Sequence, residues 1–444
     1  MKKIDNWLKE NRITEVECLV PDMTGNARGK FIPANKFVNE ELHIPESILI
    51  QTVTGDWPDE YDDLVDPTDR DMVLRPDPST IRLAPWNRQP TAQIIHDCYT
   101  IDGSPHPLAS RNVLRRVLKC YEDAGLKPVV APEMEFYLVS KAGDVALELI
   151  PPVGRSGRPE ASRQSYSIDA VNEFDDFIEE MYEMCEQQDL DVDALIHEQG
   201  VAQFEINFLH GDALSLADQV FTFKRTVREA ALKNEMYATF MAKPMQNEPG
   251  SAMHIHQSLI DLKTDKNVFV DENDEHSEVF MHYIGGLKKY LPSVISLMAP
   301  NVNSYRRFTR DNAAPINLNW GYDNRTTALR IPSSDPQATR VENRVSGSDA
   351  NPYLAMAATL ACGWLGMQNS IKPGRPQRGS ADDEKITVPR TLEQAVRNLD
   401  KHDDLANLIG RDFIAAYRAV KLDEYETFKQ VITSWEREHL LLYV

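Results

Sequence analysis

The sequence predicts an α+β protein in two unequal domains, a small N-terminal α/β unit over residues 1–105 and a larger unit over 106–444 built on a curved sheet backed by helices. Three observations predict it. The 444 residues exceed what one hydrophobic core usually serves. Four stretches alternate polar and apolar residues with period two, the pattern of half-buried strands. Other stretches repeat apolar residues at helical spacing.

In chain order, an opening helix precedes short strands such as residues 15–20. The turn-rich run Asp102-Gly103-Ser104-Pro105-His106-Pro107 marks the domain boundary, because proline and glycine punctuate elements. A helix capped by Ser110 follows, with Leu114, Val117, Leu118 and Tyr121 on one stripe and Gly125 past its end. Phe174, Phe177, Ile178, Met181, Tyr182 and Cys185 mark another. Asn351 suits an N-cap and Pro352 a first helical position, so the apolar run around 354–365 reads as a buried helix, too rich in Ala, Tyr and Asn for a membrane span.

The four alternating stretches carry the chemistry. Around Gly250, one strand face presents His254, His256 and Ser258, and the other Met253, Ile255, Gln257 and Leu259. A second strand puts Glu133 and Glu135 on one face and Met134, Phe136 and Leu138 on the other. A third aligns Gln203, Glu205 and Asn207, with Glu198 just before it. The fourth aligns Arg340, Glu342 and Arg344. Like charges side by side are destabilising unless a cation neutralises them. Carboxylate oxygens with at most one imidazole suit Mg2+ or Mn2+ better than zinc. Arginines beside such metals suggest phosphate, and the pair suggests phosphoryl transfer.

Composition narrows the partners. With 48 basic and 69 acidic residues the net charge is -21, which argues against nucleic acid and anionic membranes. Five scattered cysteines and a start that turns charged before any signal-peptide core could form point to the cytoplasm. Gly25 to Phe31 falls short of a phosphate-binding P-loop, and Val201 stands where a zinc-protease helix needs its second histidine. Eight of the sixteen residues from Asp56 to Asp71 are acidic, a solvated loop or else a funnel for a cationic substrate.

The chain resembles the glutamine synthetase family, in order and over nearly its whole length. The resemblance is carried by Asp22-Met23-Thr24-Gly25, Pro132-Glu133-Met134-Glu135-Phe136, Gln203-Phe204-Glu205, the His254 strand, Asn303-Ser304-Tyr305-Arg306-Arg307, Asn324-Arg325, Leu329-Arg330-Ile331-Pro332, Arg340-Val341-Glu342-Asn343-Arg344 and Asn351-Pro352-Tyr353-Leu354. It implies a β-grasp-like N-terminal domain and a half-barrel of antiparallel strands in the catalytic domain. It also implies a homo-oligomer, a dodecamer of two stacked hexameric rings with active sites between neighbouring subunits. In such an enzyme ATP phosphorylates the γ-carboxylate of glutamate, and an amine displaces the phosphate.

The same resemblance implies two or three Mg2+ or Mn2+ ions per site. Glu135, Glu198 and Glu205 match the ligands of the metal facing glutamate, and Glu133, His254 and Glu342 those of the metal bridging the ATP phosphates. Gly250, Arg307 and Arg344 match the glutamate-binding residues. His256, Ser258, Arg325, Arg330 and Arg340 match the ATP-binding set, with Arg307 and Arg325 as catalytic arginines.

Two departures mark the amine site. Ala313 stands where glutamine synthetases carry a flap glutamate, and Ile50 where they carry an aspartate that helps bind ammonium. The expectation is a larger, less charged acceptor site and an organic amine, a polyamine or alkyl monoamine, as nucleophile. An alkylammonium must first lose a proton, which costs about 4 to 5 kcal/mol at pH 7 without a base. Asp311 and the acidic segment are the candidate bases. The alternatives are a glutamine synthetase using a displaced base and a non-catalytic regulatory or structural relative, against which six retained metal-ligand residues argue. No tyrosine occurs from Leu354 to Ala416, so the segment adenylylated in some relatives has no acceptor.

Overall fold

A computed structural model describes residues 1–141, 148–310 and 313–444. The first sheet comprises β1 (Glu15–Pro21), β2 (Ala27–Pro33), β3 (Leu42–Pro45), β4 (Asp71–Pro76), β5 (Arg82–Leu83) and β6 (Thr91–Tyr99). Their order is β2-β1-β6-β4-β3, with β5 beside β6. The central pair β1 and β6 is parallel while the flanking pairs are antiparallel, the mixed arrangement expected of a β-grasp.

The hairpin between β1 and β2 shows why its sequence is so particular. Asp22 Oδ1 accepts from the backbone N–H groups of Thr24 and Asn26, each at 2.9 Å, and Asp22 Oδ2 accepts from Arg28 Nε at 2.8 Å. Gly25 takes φ +84°, a left-handed conformation that glycine adopts at no steric cost. A Cβ there would also press 3.3 Å from Asn351 Cα. Asn351 in turn donates to the Asp22 carbonyl at 2.9 Å and caps the helix Pro352–Gln368 by accepting from Tyr353 N and Leu354 N. One asparagine thus joins the first sheet to the deepest helix.

A second sheet is built from β7 (Leu126–Ser140), β8 (Val192–His197), β9 (Gln203–Phe208), β10 (Gly211–Asp212), β11 (Met236–Thr239), β12 (Met253–Asp261), β13 (Trp320–Tyr322), β14 (Leu329–Ile331) and β15 (Val341–Asn343). The path runs β13-β14-β15-β12-β7-β9-β8, with β10 and β11 on the long β7. The sheet is not wholly antiparallel as expected, since β13 and β14 run parallel. Its apolar face packs on helices Ala213–Lys233, Glu278–Met298 and Pro352–Gln368. The last two touch backbone to backbone: a Cβ on Gly286 would lie 2.2 Å from the Cys362 carbonyl.

The predicted alternation is realised. Met253, Ile255 and Leu259 of β12, Met134, Phe136 and Leu138 of β7, and Phe204 and Ile206 of β9 are all buried in the core. Gln257, the polar exception on the apolar face, donates to Thr359 Oγ1 at 2.9 Å and accepts from Tyr283 Oη at 2.6 Å. Ser110 is not the cap expected. It is the first residue of helix Ser110–Asp123, and its hydroxyl donates to the Pro21 carbonyl.

A buried ion network binds the two sheets' supporting elements. Arg111 donates to Asp218 at 2.9 and 2.8 Å, to Asp77 at 2.7 Å and to Asp97 at 2.5 Å, and Tyr353 Oη donates to Asp218 at 2.7 Å. Asp77 and Asp97 belong to the N-terminal part, Asp218 to the helix behind the second sheet. Arg115 also pairs with Asp77 and Asp97, so it is the buried Asp218 that would be untenable without the Arg111 guanidinium.

Candidate active site

Sheet register places the polar side chains opposite one another. Glu133 of β7 faces His254 of β12, Glu135 faces Glu205 of β9, His256 faces Glu342 of β15, and Arg330 of β14 faces Glu342 from the other side. Paired positions on neighbouring strands bring side chains within reach. Alternation keeps them all off the core.

All of them but His256 line a cavity of about 420 Å³. Glu135, Glu198 and Glu205 offer oxygens within 4.8 Å of one another. So do the ligand atoms of Glu133, Glu205 and His254, and those of Glu133, His256 and Glu342. His254 Nδ1 lies 3.2 Å from Glu133 Oε2 and 3.7 Å from Glu342 Oε1. All six residues matched to metal ligands therefore meet in one place, and His256 joins them as a further nitrogen donor.

The electrostatics of this cluster fit a divalent cation. Burial, with Glu198 close by, pushes Glu135 up to about 8. Glu205 is pushed up to about 10 by burial and by Glu133, Glu135 and Glu198. Both are carboxyl groups that a metal would ionise. Glu133 is different: against its burial, hydrogen bonds from His254 and His256 hold it well below the carboxylate range. Glu342, also buried, is held down to about 2 by Arg344, His254 and His256.

The arginines flank the cluster. Arg307 is buried, donates to the Val345 carbonyl at 3.1 Å, and has no partner for its Nε among the described residues. Its side chain runs over Gly250, where a Cβ would sit 2.6 Å from Arg307 Cγ. Glycine at 250 is thus a requirement of close approach. Arg344 donates to Glu342 at 2.5 Å and also keeps an unpartnered buried Nε. Arg330 donates to Glu342 at 2.8 Å and to Asp323 at 2.7 Å. Arg325 lines the same cavity.

A second cavity of about 810 Å³ is lined by His256, Ser258 and Arg340, and it shares Glu133 with the first. His256 Nε2 lies 2.9 Å from Glu133 Oε1, while Arg340 Nε donates to His256 Nδ1 at 3.2 Å. The residues matched to ATP binding accordingly divide between two spaces that meet at Glu133.

The matching family model, glutamine synthetase catalytic domain, covers residues 107–440. The chain belongs to the glutamine synthetase family. It is 35% identical to the gamma-glutamylputrescine synthetase PuuA of Escherichia coli, over 96% of this chain and 91% of that protein. It is 32% identical to a glutamate–isopropylamine ligase of a Pseudomonas species, covering 98% of this chain and 96% of that one. A glutamine synthetase of Pyrococcus horikoshii is also 32% identical, over 96% and 95% of the two chains. A solved structure of GmaS without ligand superposes with a TM-score of 0.84 at 27% identity, covering 99% of this chain and 100% of that one. The protein is an ATP-dependent glutamate–amine ligase of this family, whose members work with a divalent metal. Among the described residues no helix is long and apolar enough to cross a membrane.

The acceptor end departs from expectation. Ala313 does line the cavity, but Ile50 does not: it ends the short helix Glu46–Ile50 with its side chain wholly buried in the core. The acidic segment 56–71 does not line the cavity either. Its Asp56, Asp59 and Glu60 face Asp423, whose carboxyl is raised by burial and by these charges and Glu424. Asp311 lies outside the described residues. The cavity also keeps a carboxylate outside the metal-ligand groups, because Asp382 lines it as Ala313 and Ala314 do. Asp382, Thr326, Gln199 and Tyr166 are cavity residues that sequence reasoning missed. Only Tyr166 carries a local signal, an exposed aromatic held at φ +60°, and that becomes visible only in the folded backbone.

Proposed function

We propose that the acceptor of this ligase is an organic amine, a polyamine or alkyl monoamine, joined to the γ-carboxyl of glutamate. The observation that carries the reading is Ala313, a methyl group on the cavity wall where the family pattern has a glutamate. Two relatives named for amine substrates support it.

In this reading Glu135, Glu198 and Glu205 hold one Mg2+ or Mn2+ ion and Glu133, His254 and Glu342 another. The bound ions supply neutralisation of the transferring phosphoryl group. Arg307 and Arg344 hold the substrate carboxylate, Arg307 also acting in catalysis, and the Gly250 carbonyl receives the amino group. Arg325 neutralises the phosphoryl group as it moves, with Arg330 and Arg340 on the nucleotide phosphates. His256 and Ser258 line the nucleotide side. Residues 1–105 and 106–444 act as N-terminal and catalytic domains of a homo-oligomer, a dodecamer of two hexameric rings, in the cytoplasm.

A second reading, ammonium as acceptor, is favoured by one observation: Asp382 supplies a carboxylate to the cavity that holds Ala313, as a displaced base would. ADP release with glutamate, measured across ammonium, putrescine, longer polyamines and isopropylamine, separates the two. A higher kcat/KM for any organic amine than for ammonium is expected. Preference for ammonium refutes the proposal.

A further inference from the structure

We infer that Asp382 is the group that binds the acceptor amine and takes its proton. This deepens the acceptor assignment above and depends on it only for the identity of the amine. Six carboxylates line the cavity among the described residues. Glu133, Glu135, Glu198, Glu205 and Glu342 belong to the cluster of metal-ligand and arginine side chains. Asp382 belongs to none of the metal-ligand groups and lines the same cavity as Ala313, Ala314, Arg325 and Thr326.

Its backbone is fixed to the segment that carries Ala313 and Arg325. Ala381 N donates to Thr326 Oγ1 at 2.8 Å, and Asn317 Nδ2 donates to the Ala381 carbonyl at 2.7 Å. Asn324 Nδ2 donates to the Gly379 carbonyl at 2.9 Å, and the Arg310 guanidinium donates to the carbonyls of Asp382 and Glu384. Ala381 itself is wholly buried. The Asp382 carboxylate, by contrast, accepts one 3.3 Å bond from Ser380 Oγ and has no cationic partner among the described residues. An anchored backbone bearing an unpaired carboxylate on a cavity wall is suited to receive an ammonium group.

R–NH3+ gives one proton to Asp382 Oδ, and the freed lone pair attacks the γ-carbonyl carbon of γ-glutamyl phosphate. The C–N bond forms as the C–O bond to phosphorus breaks, and phosphate leaves with that electron pair. The second nitrogen proton leaves to the departing phosphate.

The test compares wild type, Asp382→Asn and Asp382→Glu by ADP release with ammonium, putrescine, isopropylamine and hydroxylamine. Hydroxylamine is mostly unprotonated at neutral pH and needs no base. Asp382→Asn is expected to lower kcat/KM about 100-fold or more for the ionised amine that wild type uses best, while leaving hydroxylamine within about threefold. Its rate with the ionised amine should keep rising with pH where wild type levels off, and Asp382→Glu should restore part of the loss. Equal losses with hydroxylamine, or an unchanged rate with the ionised amine, overturn the inference. Wild-type preference for ammonium would remove the acceptor assignment alone, since the ammonium-to-hydroxylamine comparison still decides the role of Asp382.

Discussion

Removing divalent ions should tilt the pH dependence of stability downward as pH rises. In the metal-free protein Glu135 and Glu205 sit near 8 and 10, against an ordinary glutamate value of 4.5. Their folded-state values are raised, so the unfolded chain holds fewer protons than the folded one between pH 4.5 and about 8. Stability contributed by the protonated carboxyls is complete below 4.5 and is lost as pH rises toward their folded values. Together the pair gives a slope of up to about 3 kcal/mol per pH unit. At about 2.1 cal/mol/K per residue, unfolding 444 residues carries about 0.9 kcal/mol/K, and the slope becomes about 3 °C of Tm per pH unit. The stability contributed by Glu133 and Glu342 is present above 4.5 and is lost only as pH falls below it, while the depressed bases His96, His276 and Lys224 favour the folded state as pH rises with or without metal, so the metal effect is read as the difference between two profiles. Melting followed by circular dichroism at pH 5.5, 6.5 and 7.5, in EDTA and in excess Mg2+, checks this. Relative to the Mg2+ profile, the EDTA profile should fall as pH rises, because bound metal ionises both carboxyls. Parallel profiles would refute the reasoning. So would calorimetric titration of Mg2+ at pH 7 in buffers of different ionisation enthalpy, if it showed no proton release.

Arg111→Met should strand Asp218 against an apolar side chain, while Arg115 still pairs with Asp77 and Asp97, at a cost of about 3 to 5 kcal/mol, read as a fall in denaturation midpoint. Gly250→Ala should force Arg307 aside, since the new Cβ would lie 2.6 Å from its Cγ and 2.8 Å from the Ala242 carbonyl. Overpacking of about 1 to 3 kcal/mol predicts a glutamate KM raised about tenfold, with the amine KM unchanged in steady-state assays. Ala313→Glu restores the family carboxylate and should raise the ammonium-to-alkylamine ratio of kcat/KM about tenfold.

Much of the site was legible because strands obey a simple rule. Side chains two apart share a face, so Glu133 with Glu135, and His254 with His256, could be assigned to one surface before any partner strand was known. The helix at Asn351 and Pro352 was equally readable, as capping depends on adjacent residues. Ser110 was misread because its hydroxyl has a distant partner, the Pro21 carbonyl, that outweighs the local capping pattern. The inward direction of Ile50 is set by packing of a short helix, which no local pattern encodes. Asp382 is reached from Thr326 and Arg310 only through hydrogen bonds spanning more than fifty residues, and no local pattern encodes such bonds.

By itself the sequence determined which residues carry charge, which strand face each one occupies, and the family to which that spacing belongs, because these follow from chain chemistry and a two-residue period. Only the tertiary structure decided the register that sets Glu135 against Glu205 and His256 against Glu342, the two cavities that meet at Glu133, and the carboxylate that stands beside Ala313. Register and long loops are settled by packing between segments far apart in the chain, where each choice depends on every other.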